Sequence, residues 1–356
     1  MTSRLPLTAT IPHSRPTVGP DEAEAVAAVV RSGQLAQGAR VSAFEEAVAR
    51  GVGARGGVAV SSGTAGLYLA LRALGVGAGD EVLIPSYVCA ALFHAVAMAG
   101  ATSVLVDVEG TTLAMDPADA RRRVTPRTRA VILVHPFGLA VDPSPFLELG
   151  TPVIEDCCQA IGAEWGGRPV GGFGQMAVFS FYATKLLTTG EGGMVTATDE
   201  RLLARVRDGR EYDEQESLRP RFNFKMTEFQ AALGLCQLAR LPAFIERRRG
   251  LASGYRAALA SAPCRLPPER GKGHVYHRFV IQVEGRPLAP LLTALERRGV
   301  NCRRPVFRPL HHALGSTGYP ESDRVWSQAC SLPCYPSLTG EEAAYVVATV
   351  RGELGS

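Results

Sequence analysis

The strongest constraint on the fold is the alternation of short apolar runs with helical repeats between residues 57 and 198. GVAVSS (57–62), EVLIP, SVLVDV, AVILVH (130–135), PVIED (152–156), MAVFSF (176–181) and GGMVTAT (192–198) read as seven strands. Between them lie helical patterns such as AGLYLALRALG, YVCAALFHAVAMAG and DPADARRR. Such a series predicts an α/β domain with a mostly parallel sheet and helices on both faces, where ligands gather at the carboxyl ends of the strands.

The flanks differ. DEAEAVAAVVRSG, ending on Gly33 as a C-cap, and VSAFEEAVARG read as two surface helices before the first strand. From about residue 241 the pattern becomes a long helix starting near Pro242, the strand VYHRFVIQV, a helix around LAPLLTALERRG, and a last helix opened by Thr339 and Glu342 as a capping box. The expected division is a large domain over 1–241, carrying an N-terminal helical arm, and a smaller α+β domain over 242–356.

Composition excludes several classes. A chain of 356 residues with 46% hydrophobic content supports two domains with a large core. The formal charge of +4 is too small to imply a nucleic-acid partner. The charge-free stretch Ile84 to Val106 is long enough for a membrane span, but its Pro85, Gly100 and polar residues fit a helix followed by a buried strand better. The first twenty residues hold no apolar run of signal-peptide length, and the eight cysteines match neither a zinc pair nor a dithiol motif. A cytoplasmic protein with reduced thiols and no bound metal is the expectation.

Of 38 basic residues only three are lysines: Lys185, Lys225 and Lys272. Lys185, in FSFYATKLLTTGEGG, follows a strand and sits among apolar and hydroxyl side chains rather than other charges. That setting suits an amine for Schiff-base chemistry, although a lysine lying along the surface reads the same locally. Asp156 ends the strand PVIED, with Gln159 three residues on. A carboxylate at a buried strand end needs a partner, and the protonated pyridine nitrogen of pyridoxal phosphate is one; capping a following helix is the other reading. SSGTAG (61–66) is a strand-to-helix turn whose free N–H groups, with Gly63 and Thr64, suit a phosphate. Each signal is weak singly. In this order, on this pattern, they form the set a pyridoxal-phosphate enzyme requires.

These motifs resemble the DegT/StrS family of sugar aminotransferases, of the aspartate-aminotransferase fold (fold type I). The resemblance spans nearly the whole chain, through SGQLAQGARVSAFEEAVA, VSSGTAGLYLALRALGVGAGDEVLIPS, VIEDCCQAIGA, FSFYATKLLTTGEGGMV, RFNFKMTEFQAALGLCQLARL and SLPCYPSLTGEE. It implies that Lys185 forms the Schiff base with pyridoxal 5'-phosphate and later moves the proton, and that Asp156 keeps the pyridine nitrogen protonated. Gln159 matches a contact to the ring and its phenolic side. Gly63, Thr64 and Ser180 match the phosphate-binding positions. Asn223 matches an asparagine reaching the phosphate from a neighbouring subunit, which implies a homodimer with shared active sites.

The resemblance further implies ping-pong transfer of an amino group from glutamate or glutamine to a keto group of a nucleotide-linked sugar. A cyclitol or other natural-product ketone is an alternative acceptor. A minority branch that dehydrates the sugar carries histidine where this chain has Lys185, and a catalytically silent partner protein would not need Lys185 and Asp156 together. The chain departs from the pattern at Cys89, where many relatives place an aromatic residue on the cofactor ring, so that either Tyr87 or the sulfur packs there. Lys225 stands where arginine is usual. The charged stretch 208–221 matches no substrate signature. His135 could face the site from a strand end. Arg303, Arg304, Arg308, His311 and His312 could reach a diphosphate or be surface groups.

Overall fold

The computed structural model describes residues 10–213 and 215–355. Two helices, α1 (Pro20–Ser32) and α2 (Ala39–Gly51), precede the alternating region. There follow β1 (Gly56–Val60), α3 (Gly63–Ala73), β2 (Glu81–Pro85), α4 (Ala91–Met98), β3 (Thr102–Val106), α5 (Pro117–Arg123), β4 (Thr128–Val134), α6 (Ser144–Leu147) and β5 (Val153–Asp156). A small hairpin, β6 (Glu164–Trp165) and β7 (Arg168–Pro169), leads to β8 (Met176–Ser180), β9 (Gly193–Ala197) and α7 (Glu200–Arg210). The remainder is α8 (Glu228–Ala258), β10 (Cys264–Arg265), β11 (Phe279–Val283), α9 (Leu288–Arg297), α10 (Leu310–Leu314), α11 (Pro320–Gln328), β12 (Ala329–Leu332) and α12 (Gly340–Leu354).

The seven expected strands form one sheet in the order β1-β9-β8-β5-β4-β2-β3. Its pairings are parallel from β8 across to β3, and β9 runs antiparallel to both its neighbours. Strand residues alternate between the two faces of the sheet, as a period of two requires. Val58, Val60, Ile84, Ile132, Ile154 and Val178 pack with α3 and α4 on one face. Ala59, Ala177, Phe179 and Met194 pack with α2 and α8 on the other. The stretch Ile84 to Val106 is the end of β2, the eight-residue α4 and β3, and among the described residues no helix is long and apolar enough to cross a membrane.

One element departs from expectation. The long helix does not start near Pro242: it starts at Glu228, capped by Thr227, whose side chain and that of Gln230 form a capping box, and runs 31 residues with Pro242 inside. Apolar positions on both sides of the proline are buried, Ala231 and Leu241 in the large-domain core and Leu251 and Tyr255 in that of the C-terminal part. Continuous burial outweighs the roughly 3 kcal/mol that an interior proline costs. The proposed division between residues 241 and 242 therefore falls within a helix that serves both cores. At the other end, Thr339 and Glu342 cap α12 as expected.

Candidate active site

Each parallel strand ends at the same edge of the sheet, and the candidate residues collect there. At the end of β1 the chain turns into α3, with Ser62 as N-cap: its hydroxyl accepts from the Ala65 N–H at 3.1 Å. The N–H groups of Gly63 and Thr64 lie in the first turn, where no intrahelical acceptor exists. Ser180 ends β8 and pairs with Gly193, which also pairs with Val60. A Cβ added to Gly63 would stand 2.9 Å from Ser180 Cβ and 3.1 Å from Cys158 Sγ, so the helix start, the serine and the cysteine are packed side by side. Free N–H donors, a helix dipole and a serine hydroxyl make a phosphate cradle, and the residues present fit a phosphate-bearing cofactor.

Asp156 ends β5 and is buried. Its Oδ1 accepts the Cys158 N–H at 3.0 Å. No helix follows, only turns, so the helix-cap reading of Asp156 is set aside and the bond closes a local turn. The carboxylate forms no ion pair among the described residues, which leaves it suited to a cationic ring nitrogen. Gln159 Oε1 accepts the Phe137 N–H at 2.9 Å, an anchor to the loop after β4.

Lys185 lies in the turn-rich loop between β8 and β9, its N–H donating to the Tyr182 carbonyl at 2.8 Å. The loop is pinned by Thr189 N–H and the Thr188 hydroxyl on the Phe181 carbonyl. The other two lysines are paired: Lys225 with Glu211 at 3.2 Å and Asp213 at 3.0 Å, and Lys272 with Glu164 at 3.7 Å. Lys185 has no ion-pair partner among the described residues. It is instead close enough to Cys89, Cys158 and His277 to act on their ionisation.

Cys89, just past the end of β2, keeps an exposed surface and lies close to Lys185 and Asp156. Desolvation pushes its thiol up; the Lys185 ammonium opposes this and the Asp156 carboxylate adds to it. Tyr87 is instead buried among Val108, Leu113 and Phe137. Of the two residues that could stand in for the aromatic ring, the cysteine is the one beside Lys185 and Asp156. Cys158 and His277 were not singled out from sequence. Cys158 lies inside a recognised motif but differs from its neighbours only in being a second thiol. His277 arrives from the C-terminal part of the chain, where no local pattern marks it; it is buried and its Nδ1 has no hydrogen-bond partner among the described residues.

His135 is fully buried and structural: Nε2 bonds Glu155 at 3.1 Å and Nδ1 accepts the Val141 N–H. Glu155 also takes the N–H groups of Gly171, Phe173 and Gly174, clamping that loop. Asn223 is exposed, next to Phe224, whose carbonyl accepts the Ser61 N–H at 2.7 Å. The charged stretch before it is tied by Arg221 to Asp208 at 2.7 Å and leaves Leu218 fully exposed. Arg304, Arg308, His311 and His312 line a separate cavity, and Arg303 is not among its walls.

Residues 16–351 match one protein family. The chain belongs to the DegT/DnrJ/EryC1/StrS aminotransferase family. It is 35% identical to the spore coat polysaccharide biosynthesis protein SpsC of Bacillus subtilis, covering 96% of each chain. Among solved structures it resembles DesV of S. venezuelae, in complex with a ketimine intermediate, at 34% identity, TM-score 0.89 and 94% of each chain. It also resembles Spr1654 of Streptococcus pneumoniae, assigned as a sugar aminotransferase and solved in its PLP form, at 25% identity, TM-score 0.92, and 97% and 98% of the two chains. In this DegT/DnrJ/EryC1/StrS protein the α3 start and the buried Asp156 lie at one edge of the sheet, and Lys185, without an ion-pair partner among the described residues, follows in the loop after β8.

Proposed function

We propose that this aminotransferase uses pyridoxal phosphate to move an amino group from glutamate or glutamine to a keto group of a nucleotide-linked sugar. The observation that carries the reading is the convergence of the α3 start, Asp156, Ser180 and Lys185 at one sheet edge. Bound there, the cofactor supplies an electron sink for charge developing beside the transferred nitrogen. The protein does the rest. Gly63, Thr64 and Ser180 hold the phosphate by N–H and hydroxyl donors. Asp156 holds a proton at the pyridine nitrogen, and burial keeps water from competing for it. The Gln159 carbonyl oxygen is engaged with Phe137, which leaves its amide NH2 to donate to the phenolic oxygen.

With the cofactor in place, Lys185 would hold it through Nζ, and its amine would be the group that moves the proton beside the transferred nitrogen. A lysine at this position supports transamination over dehydration. Asn223 completes the phosphate site of a second copy in a homodimer. The sugar acceptor is supported by the likeness to SpsC, a protein of spore coat polysaccharide biosynthesis. The test supplies glutamate or glutamine and follows the 2-oxo acid with and without keto-sugar nucleotides. Oxo-acid release sustained by a keto-sugar nucleotide is expected; turnover sustained only by a cyclitol ketone, or none with any acceptor, contradicts the reading.

A further inference from the structure

His311, His312 and Asp323 form a cluster of possible metal ligands that the site described above does not use. The histidines are on α10 and the aspartate on α11. Nε2 of His311 lies 3.0 Å, and Nε2 of His312 2.5 Å, from Oδ1 of Asp323. The three candidate ligand atoms lie within 4.8 Å of one another. Ligands about 2.1 Å from a tetrahedral ion stand roughly 3.4 Å apart, so an ion fits between these atoms with small shifts of side chain.

Both rings are held in place. His311 is buried, stacks on Tyr319 with centroids 4.8 Å apart, and has its Nδ1 bonded to Ser86 Oγ at 2.5 Å. His312 meets Trp326 edge-on at 4.9 Å. An imidazole whose far nitrogen is fixed by an outer hydroxyl is a pre-oriented metal ligand. Hydrogen bonding alone is the competing account, since one carboxylate can accept from two imidazoles. Two features favour a cation. Both Nε2 atoms address the same oxygen rather than one each. A cavity of about 710 Å³, lined by both histidines with Arg304, Arg308 and Trp326, opens beside them and has room for exchangeable ligands.

We propose that His311, His312 and Asp323 bind one divalent transition-metal ion of the zinc type, with its open positions toward that cavity. Two imidazoles and a carboxylate suit zinc, nickel or copper over calcium or magnesium. Arg304 and Arg308 line the cavity, so water or an anion completes the coordination. The ion braces α10 against the segment that carries Cys89, because Ser86 accepts the Leu310 N–H at 2.9 Å as well as bonding His311.

The test titrates cobalt(II) into the purified, untagged full chain after chelator treatment. One equivalent is expected to bind, with the absorption of nitrogen and oxygen ligands and without the thiolate charge-transfer band that cysteine ligation would produce. His312→Ala and Asp323→Asn are each expected to abolish this binding while circular dichroism shows a folded chain, and Ser86→Ala to weaken it by about 10–100-fold. Asp323 is half exposed, so Asp323→Asn decides the matter if His312→Ala does not fold. No bound cobalt in the wild type, a thiolate band, or unchanged binding in Asp323→Asn overturns the proposal.

Discussion

At the residue scale, the scarcity of lysine separates a structural charge from a chemical one. Lys225 and Lys272 each face carboxylates, and an arginine could make the same pairs. Lys185 faces thiols and a histidine and, among the described residues, has no carboxylate in an ion pair with it, and a guanidinium that stays protonated cannot replace its amine. Lys185 stood out as a candidate in the sequence because its neighbours there are apolar and hydroxyl residues rather than charges. The surroundings of Cys89 were not legible, since proximity to Asp156 and Lys185 depends on three separate strand ends. If Cys89 floors the cofactor site, iodoacetamide modifies it in the apo protein, and added pyridoxal phosphate slows that modification. With its thiol pushed up, the rate rises with pH through and beyond the ordinary thiol range. Peptide mapping that finds Cys89 labelled equally with and without cofactor contradicts the placement.

At the element scale, the strand ends and the α3 start act as one unit. Gly193 lies between Val60 and Ser180 in the sheet, and α3 begins directly over it. A Cβ there would stand 2.5 Å from the Ser62 carbonyl carbon and oxygen and 2.7 Å from the Gly63 nitrogen. Backbone cannot rotate away as a side chain can. Gly193→Ala is therefore expected to cost about 3 kcal/mol or more and to weaken cofactor binding, read by urea unfolding and fluorescence titration; a loss below about 1 kcal/mol would contradict the packing. Strands were legible as apolar runs bounded by turn residues. The start of α8 was not, because a proline signals a helix start as readily as an interior position held by packing, and burial on both sides of Pro242 appears only in three dimensions.

At the scale of the whole molecule, three histidines are buried neutral: His13, where the N-terminal segment meets Ser331 and Arg278 of the C-terminal part, and His274 and His277, where the segment after α8 packs on the loop after β4. Burial is the main cause in each: His13 and His274 are lowered to about 3, helped by Arg278 and Arg303 for the first and by Arg256 and Arg249 for the second, against a raising Gly138 contact for His274. His277 lies well below its ordinary value, with Arg278 and Lys185 adding to the effect of burial. The unfolded chain binds protons at these sites from about pH 6.5 downward and the folded chain does not, so stability falls as pH drops from 6.5 toward 3. Each histidine contributes a slope of about 1.4 kcal/mol per pH unit in that window. Urea midpoints flat between pH 6.5 and 5 would contradict this.

The proposed homodimer has its own test at this scale. Mixing inactive Lys185→Ala and weakened Asn223→Ala chains forms hybrids in which one site has both its lysine and its partner asparagine intact, so activity is expected to rise above that of either parent. No gain after confirmed subunit exchange would contradict shared sites. The central claim, that Lys185 carries the cofactor, is tested most directly by reducing the cofactor-loaded protein with borohydride, digesting it and sequencing the peptides by mass spectrometry. A pyridoxyl adduct on Lys185 alone, absent from a folded Lys185→Arg variant, is predicted. An adduct on Lys225 or Lys272, or none, would contradict the account.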